Sequence, residues 1–258
     1  LIVIFLYIAV FILGSLWGSF SNVCIYRLPL GGNVATNRSK CKNCKKLIRW
    51  FDNIPFISYL MLGGKCRGCG SKIEFQYFIV ELITALGFLI AFFIFGITLT
   101  TLLFFILITF FVIIFFIDLR HFIIPNELTF PLMFVGFVKS FDPNLYSYIF
   151  PNFINSLIGG IVGYLIIWII IFLYKKIKNK EGMGLGDAKL LSAIGFWFGW
   201  IAIPFILFFS SFVALAFAIP GLVNKSKNLS SQIPFGPYLV VAVIIYLILY
   251  NQIINFLI

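Results

Sequence analysis

Two aspartates beside long apolar segments are the residues whose chemistry most needs explaining. Asp118 follows the run LLFFILITFFVIIFFI, and Asp187 ends the glycine-rich stretch GMGLGD, just before another apolar segment. A carboxylate at the edge of a membrane is costly and needs a partner or a task. Two carboxylates a few ångströms apart cannot both ionise, so one keeps its proton. The ionised group can take a proton from water while the neutral group hydrogen-bonds a scissile carbonyl, as peptide hydrolysis requires.

The helix ends predict a role for each aspartate. Asp187 opens a helix, whose positive end favours an ionised carboxylate, whereas Asp118 closes one, where a proton is kept more easily. We therefore interpret Asp187 as the base and Asp118 as the acid. Each alone has a simpler explanation: Asp187 as an N-cap after a glycine turn, and Asp118 as an ion-pair partner of Arg120. The pair could also hold a cation or proton in a transporter.

Four cysteines form a second candidate site. They occur as two C-x-x-C pairs, Cys41 with Cys44 and Cys66 with Cys69. This spacing lets two tight turns close a tetrahedral thiolate shell around Zn²⁺, and the neighbouring Gly68 and Gly70 suit such turns. Disulfides are the alternative, which a reducing cytoplasm disfavours. With four ligands the zinc would be structural. We interpret Cys24 as a small buried apolar residue.

The composition predicts an all-α polytopic membrane protein. Of 258 residues, 62% are hydrophobic and only 10% charged, whereas soluble domains average about 25% charged residues. The apolar runs are continuous, as helices crossing a bilayer require and β-barrel strands do not. About eight spans are predicted, at residues 1–22, 76–96, 99–117, 123–141, 153–174, 188–202, 202–222 and 235–257. The sixth and seventh are either one helix kinked at Pro204 or two helices meeting near Gly199.

Three regions follow along the chain. Residues 1–24 are predicted to be a first transmembrane helix, retained rather than cleaved as a signal peptide, because no basic region precedes it. Residues 25–75 are predicted to be a cytoplasmic cysteine module too small to fold without a staple. Residues 76–258 are predicted to form the transmembrane domain with both aspartates. Glu81 lies inside the predicted span at residues 76–96. We interpret it as reaching towards the headgroups or as having a polar partner within the bundle.

The positive charge predicts orientation rather than a nucleic-acid partner. The net charge is +11, but ten of the 19 basic residues lie between Arg27 and Lys72 and four lie in KKIKNK (175–180). Basic residues collect in cytoplasmic loops, so the N-terminus is placed outside. The cysteine module, both aspartates and the 223–233 loop are then cytoplasmic. Among the basic residues only Lys139 lies towards the outer side.

Five stretches, taken in order, resemble the bacterial type IV prepilin peptidases, which are intramembrane aspartyl proteases of the GxGD kind. These stretches are GSFSNVCIYRLP (18–29), RWFDNIPFISYL (49–60) between the cysteine pairs, IDLRHFIIPNELT (117–129), GMGLGDAKLL (182–191) and IPFGPYL (233–239). They resemble the family's first-loop signature, its zinc module, its two aspartate motifs and the entry to its last span. The five stretches follow the family's order and are distributed along nearly the whole chain, from residue 18 to residue 239, and together they are highly specific.

The resemblance implies the roles of the candidate residues. Asp118 and Asp187 would be the catalytic pair, Gly184 and Gly186 would support the second motif through their backbone, and the four cysteines would bind zinc. Many members carry an aspartate where this sequence has Asn126, so the departure favours Asp118 as the first catalytic position. The family's fold has eight spans and a cytoplasmic first loop, and it lies in the bacterial cytoplasmic membrane.

The resemblance also implies an activity and its partners. Members remove a short basic leader from prepilins or pseudopilins at the cytoplasmic membrane face. Many then methylate the new N-terminal amine with S-adenosylmethionine, and the complete cysteine module favours that activity here. No glycine-rich nucleotide fingerprint occurs, so the sequence assigns no methyl-donor residue. Glu127 and Glu181 are candidates to contact a basic leader.

Two other functions remain as alternatives. An ion- or proton-coupled transporter would need polar groups along a pathway near the bilayer centre, where they are sparse in this sequence. A non-catalytic, zinc-stapled scaffold for pilus assembly would tolerate the loss of either aspartate. Separate Asp118→Asn and Asp187→Asn variants distinguish all three.

Overall fold

The computed structural model describes residues 1–34, 38–146, 149–179, 182–223 and 233–257. Regular structure in these ranges is helical, and β-type pairing is confined there to two isolated bridges in the cysteine module. The α-helices are α1 (Ile2–Arg27), α2 (Ile57–Met61), α3 (Gln76–Phe95), α4 (Leu99–His121), α5 (Asn126–Lys139), α6 (Phe153–Lys178), α7 (Leu185–Phe198), α8 (Ala202–Val223), α9 (Gly236–Ile248) and α10 (Tyr250–Leu257). Short 3₁₀ helices span Leu28–Leu30, Trp50–Asn53 and Pro143–Leu145.

Five helices in this part of the chain are long and apolar enough to cross a membrane: α1, α3, α4, α6 and α8. The all-α membrane architecture is therefore confirmed, with five candidate spans. The helices α5 and α7 have 14 residues each, and α9 has 13. At 1.5 Å per residue they cover only about 20 Å of a hydrocarbon core near 30 Å. The total of eight spans thus stays a prediction.

The connection between α7 and α8 settles one alternative that the sequence left open. Two helices are present, and they are separated at Gly199, whose φ of +80° is a conformation that other residues avoid. Pro204 does not kink a continuous helix. It lies in the first turn of α8, where a missing N–H costs no helical hydrogen bond.

The chain forms two compact units, Leu1–Ile113 and Ile114–Ile258. In the first unit, α1 packs closely on α3 because it presents glycines at the contact. A Cβ added at Gly14 would lie 2.8 Å from the Cα of Ala85, and one at Gly18 would lie 2.7 Å from the Cα of Glu81. The backbone of α3 around Glu81 is therefore held directly against α1.

In the second unit, α7 is fixed along its length by α5 and α6. The hydroxyl of Ser192 in α7 donates to the carbonyl of Gly160 in α6 (2.8 Å), and the Ser156 hydroxyl of α6 donates to Phe196 (2.7 Å). The indole N–H of Trp197 donates to the Leu132 carbonyl of α5 (2.9 Å). Small residues and hydroxyls at such interfaces let helix backbones approach closely. The second half of α7 is thus held in place by two neighbouring helices.

Candidate active site and metal centre

The two aspartates lie together in the second unit. Asp118 is in the last turn of α4 and Asp187 in the first turn of α7, with 4% and 8% of their surfaces exposed. Their carboxyl groups are close enough to interact electrostatically. The sequence predicted this meeting of two helix ends, and the geometry agrees with it.

The helix containing Asp187 begins earlier than the sequence indicated. Its N-cap is Gly184 and its first residue is Leu185, so Asp187 is the third residue of the helix and not its N-cap. From that position the carboxylate reaches back to the backbone of Gly184, as the acidic residue of a capping box does. Asp187 therefore supports the helix start while its carboxyl group remains beside Asp118.

Gly236 is the residue of this site that sequence reasoning missed. It is the first residue of α9, and its N–H donates to Oδ2 of Asp118 (2.9 Å) in a buried hydrogen bond. A Cβ added at Gly236 would lie 2.8 Å from that oxygen. The stretch IPFGPYL carried the signal, because a glycine at a helix start offers a free N–H without a side chain.

The contact with Gly236 removes the argument that separated the two aspartates by helix dipoles. Asp118 ends α4, but its carboxylate faces the N-terminus of α9. Asp187 lies in the first turn of α7. Both carboxylates therefore face the positive end of a helix, so the helix dipoles do not distinguish an acid from a base in this pair.

Ile124 packs against two of the glycines around the pair. A Cβ added at Gly186 would lie 3.0 Å from the Cβ of Ile124, and one at Gly236 would lie 3.1 Å from its Cδ1. Gly184 differs, because a Cβ there would meet only Asp187 Oδ2, at 3.6 Å, and the Gly186 nitrogen. Neither Gly184 nor Gly186 has a positive φ. Gly186 thus permits packing, whereas exposed Gly184 leaves open space beside a carboxylate.

Asn126, which follows Pro125 in the first aspartate motif, is the first residue of α5. Its Oδ1 accepts a hydrogen bond from Nζ of Lys189 in α7 (2.7 Å). An uncharged amide therefore links the start of α5 to α7. Glu127, the next residue, is exposed in the first turn of α5, and Glu181 lies outside the residues that the structure describes.

The four cysteines form one cluster in the first unit. All four Sγ atoms lie within 4.8 Å of one another, and the Sγ atoms of Cys41 and Cys69 are 3.8 Å apart. A tetrahedral Zn²⁺ with bonds of about 2.3 Å separates its sulfur ligands by about 3.8 Å. A backbone hydrogen bond from Cys44 lowers the pKa of Cys41 to about 6, so its metal-binding thiolate is favoured at neutral pH. The cluster has the ligands and spacing of a metal centre.

Two short loops with the same hydrogen bonds, residues 41–46 and 66–71, build this cluster, and we call each of them a knuckle. In each one, the N–H of the first cysteine donates to a carbonyl beyond the second, from Cys41 to Lys46 (2.9 Å) and from Cys66 to Ser71 (2.8 Å). An isolated bridge closes each knuckle just outside these residues. Each pair of cysteines is therefore fixed by its own short loop.

Both knuckles need a left-handed residue directly after the second cysteine. Gly70 supplies it in the second knuckle with a φ of +69°, as the sequence indicated, but Lys45 supplies it in the first with a φ of +60°. Gly68 has no positive φ; a Cβ there would lie 3.6 Å from the Cys44 sulfur and 3.2 Å from Cδ of Lys46. Its role is therefore to leave room beside the cluster rather than to turn the chain.

These features define a helical membrane protein with a paired-carboxylate centre and a Cys₄ centre. The family model described as the Bacterial Peptidase A24 N-terminal domain matches residues 12–95, and that of the Type IV leader peptidase family matches residues 105–219. The chain belongs to the type IV leader peptidase family.

Curated relatives agree over nearly the whole chain. The chain is 36% identical to the prepilin leader peptidase/N-methyltransferase of Aeromonas salmonicida (strain A449), over 90% of this chain and 87% of the relative. It is 34% identical to the protein of the same name from Pseudomonas aeruginosa, over 90% and 86%. The corresponding protein of Neisseria gonorrhoeae is 33% identical, over 90% and 86%. No solved structure matches the chain.

Proposed function

We propose that this enzyme cleaves the short basic leader from type IV prepilins or pseudopilins and then N-methylates the new N-terminal residue. Asp118 and Asp187 are its catalytic pair in this proposal. The observation that carries it is the meeting of three helix ends, from α4, α7 and α9, around two buried carboxylates. The names of the relatives supply the substrate and the second activity.

The geometry supports a general acid–base mechanism. In a pair that shares one proton, the ionised carboxylate accepts a proton from water, which then attacks the scissile carbonyl. The protonated partner donates a hydrogen bond to the carbonyl oxygen and later a proton to the leaving amine. The Gly236 N–H holds Asp118 in place through one oxygen and leaves the other oxygen for the reaction.

The open space at Gly184 is the proposed path of the substrate backbone. An extended peptide can come close to a glycine that carries no side chain, and Gly184 is exposed beside Asp187. Membrane lipids surround both enzyme and substrate in this proposal, and no nucleic acid takes part. The proposed topology has eight spans, the N-terminus outside, and both aspartates and the cysteine cluster at the cytoplasmic face.

We also propose that the Cys₄ cluster holds structural Zn²⁺. Cys41, Cys44, Cys66 and Cys69 would fill all four tetrahedral positions, so the metal would hold the module together without taking part in hydrolysis. For the second activity, S-adenosylmethionine when bound supplies a methyl group activated by a sulfonium.

The peptidase proposal is tested by removing each carboxylate separately. Asp118→Asn and Asp187→Asn each keep the size and shape of the side chain but lose the ionisable group. We expect each to slow cleavage of a prepilin in liposomes by about 10²–10⁴-fold, the usual contribution of general acid–base catalysis. Asp142→Asn is the control, because that carboxylate only caps the short helix Pro143–Leu145.

The outcomes also separate the alternatives. Normal cleavage by either catalytic variant would show that the paired-carboxylate mechanism is wrong. A scaffold would show no cleavage in the wild type, with both variants still supporting pilus assembly. A transporter would show proton- or ion-dependent flux in liposomes that both variants abolish while cleavage is absent throughout.

A further inference from the structure

A cavity in the first unit lies between the cysteine module and α3. Its volume is about 420 Å³, within the range of roughly 300–1,000 Å³ that is usual for small-molecule sites. Its lining combines apolar and aromatic side chains, among them Ile54, Tyr59 and Tyr77, with six basic residues and three carboxylates, one of which is Glu81. Two cysteines of the cluster also line it, so part of this volume lies beside the proposed metal centre. Its size and mixed lining therefore fit a small polar molecule with an apolar part.

Glu81 differs from the other carboxylates of this cavity because the groups hydrogen-bonded to it carry no charge. Two other carboxylates line the same cavity, but Asp52 is bound by Arg67 through two nitrogens, and Glu74 lies 2.6 Å from the ammonium of Lys42. Glu81 instead accepts hydrogen bonds from the Phe56 N–H (3.0 Å) and the Ser19 side chain.

The position of Glu81 makes this a costly arrangement. Only 7% of the residue is exposed, and its backbone is held against Gly18 of α1, so it cannot move freely into water. A buried carboxylate without a cation is expensive. A cationic ligand in the cavity would offset that cost.

The hydrogen bond to Glu81 comes from a strained turn. Phe56 has φ +60° and ψ −54°, and the N–H of Ile57 donates to the carbonyl of Pro55 (2.6 Å). These are the features of the classic γ-turn, which is rare because it is strained. The Phe56 ring stacks on Phe11 at 5.6 Å, which helps hold the turn. Backbone strain of this kind concentrates at ligand sites.

We propose that this cavity binds an amino-acid head group, with the ligand's ammonium on Glu81. The inference rests on the N-methyltransferase part of the proposed function and identifies the ligand as the methyl donor, S-adenosylmethionine. Its carboxylate would face the basic side chains that line the cavity, including Arg49 and Lys72. Its adenosine would lie beside the rings of Tyr59 and Tyr77.

The charges of the cavity favour the donor over the other amine of the reaction. The new N-terminus of a cleaved pilin also carries an ammonium, but it has no carboxylate next to it for the basic residues to bind. An amino-acid head group carries both charges, and the cavity offers both complements. A cavity for the methyl donor and a cavity for the pilin amine nevertheless predict different binding results, so an experiment can distinguish the two assignments.

The test measures binding of two unreactive probes to the full chain in detergent. S-Adenosylhomocysteine keeps the amino-acid head group, whereas methylthioadenosine lacks it. We expect Glu81→Gln to weaken the binding of S-adenosylhomocysteine at least tenfold, since a hydrogen bond between charged groups contributes about 1.5–3 kcal/mol. The affinity for methylthioadenosine should change less than threefold. Asp142→Asn, which neutralises a carboxylate outside this cavity, is the control, and there both affinities should stay within threefold of the wild type.

Several results would overturn the proposal. These are no binding of S-adenosylhomocysteine to the wild type, unchanged binding to Glu81→Gln, or equal weakening of both probes. If Glu81→Gln also lost its zinc, Glu81→Asp would decide, because a retained carboxylate should restore the preference for S-adenosylhomocysteine. A raised KM for the peptide amine with unchanged probe binding would assign Glu81 to the pilin substrate and contradict the donor site.

The same preparation separates failure of this inference from failure of the proposed function. Leader cleavage and N-methylation are measured for the wild type by mass spectrometry of a processed substrate. A wild type that cleaves but never methylates contradicts the proposed N-methylation. A wild type that methylates, with probe binding insensitive to Glu81, contradicts only the site proposed here.

Discussion

The cysteine cluster and the aspartate centre hold four and two functional side chains, but they are built in opposite ways. Each half of the cysteine cluster is a short loop that fixes its own two ligands with its own hydrogen bonds. The aspartate centre has no such local unit. Asp118, Asp187 and Gly236 come from the ends of three separate helices, and each is positioned by the packing of its helix.

This difference determines how each region responds to change. A local knuckle depends on a few residues and, in the proposed zinc centre, on the metal ion that would join it to its partner knuckle. A centre made of helix ends depends on small clearances, because the helices are held at fixed positions by their own packing. We therefore expect the cysteine cluster to be most sensitive to loss of a ligand and the aspartate centre to be most sensitive to added volume.

Loss of one cysteine should have the largest effect. Cys41→Ser removes one thiolate of a closed shell, and binding of structural zinc contributes about 10–16 kcal/mol in small zinc domains. We expect bound zinc to fall from about one ion per chain to almost none, and residues 38–75 to become sensitive to protease. Metal analysis and limited proteolysis of the purified chain measure both effects.

Cys24→Ser is the matched control for that experiment. Cys24 is a buried cysteine of α1 and is not part of the cluster, so its zinc content should equal that of the wild type. Retention of zinc by Cys41→Ser, or its loss from Cys24→Ser, would contradict the assignment of the ligands.

Added volume at the aspartate centre should have the next largest effect. In Gly236→Ala the new Cβ would lie 2.8 Å from Oδ2 of Asp118, so either the carboxylate or the start of α9 must move. A displacement of about 1 Å at a catalytic group can cost about 10²-fold in rate. We expect leader cleavage to fall by about that factor while zinc content and thermal stability change little.

Val241→Ala tests whether α9 is simply intolerant of substitution. Val241 lies in the same helix but beyond its first turn, so cleavage should stay close to that of the wild type. If Gly236→Ala cleaved normally, the hydrogen bond to Asp118 would not position the proposed catalytic pair. If Gly236→Ala lost zinc, the aspartate centre and the cysteine cluster would not be independent of each other, as we expect them to be.

The difference between a cluster built from local loops and a centre built from separate helix ends also explains what the sequence could predict. The C-x-x-C pairs predicted the cysteine cluster because its geometry is local, and the continuous apolar runs predicted helices. The left-handed Lys45 was missed, since a lysine carries no sign of an unusual φ. The two aspartates were predicted as a pair because each lies at a helix end.

What could not be predicted at the aspartate centre depends on tertiary packing. The hydrogen bond from Gly236 to Asp118 joins residues from distant parts of the chain, and the local stretch IPFGPYL indicates a free N–H but not its acceptor. The start of α7 at Leu185 was missed because the glycines before Asp187 looked like a turn, whereas Gly186 is already helical. For Glu81, a polar partner within the bundle was one of the two expectations, and the Ser19 side chain of α1 is such a partner. The additional hydrogen bond from the Phe56 N–H of a strained turn was not predicted.

The smallest expected effect compares the two knuckles with each other. Gly70 and Lys45 occupy equivalent left-handed positions, and a Cβ at Gly70 would meet no atom within 4 Å, so only backbone conformation should matter. A left-handed residue other than glycine costs about 1–2 kcal/mol, and the greater freedom of unfolded glycine offsets about 0.4–1 kcal/mol. Gly70→Ala should therefore weaken zinc binding about two- to fivefold, and Lys45→Gly should strengthen it by a similar factor.

A zinc competition assay with a chromophoric chelator measures both changes. Lys45→Ala removes the same charge as Lys45→Gly but keeps the left-handed strain, so its zinc affinity should match that of the wild type. A gain in affinity for Lys45→Ala would assign the effect to charge instead of backbone. Changes of the same sign in Gly70→Ala and Lys45→Gly would show that the two knuckles do not share one conformational requirement, because a shared left-handed position requires these substitutions to act in opposite directions.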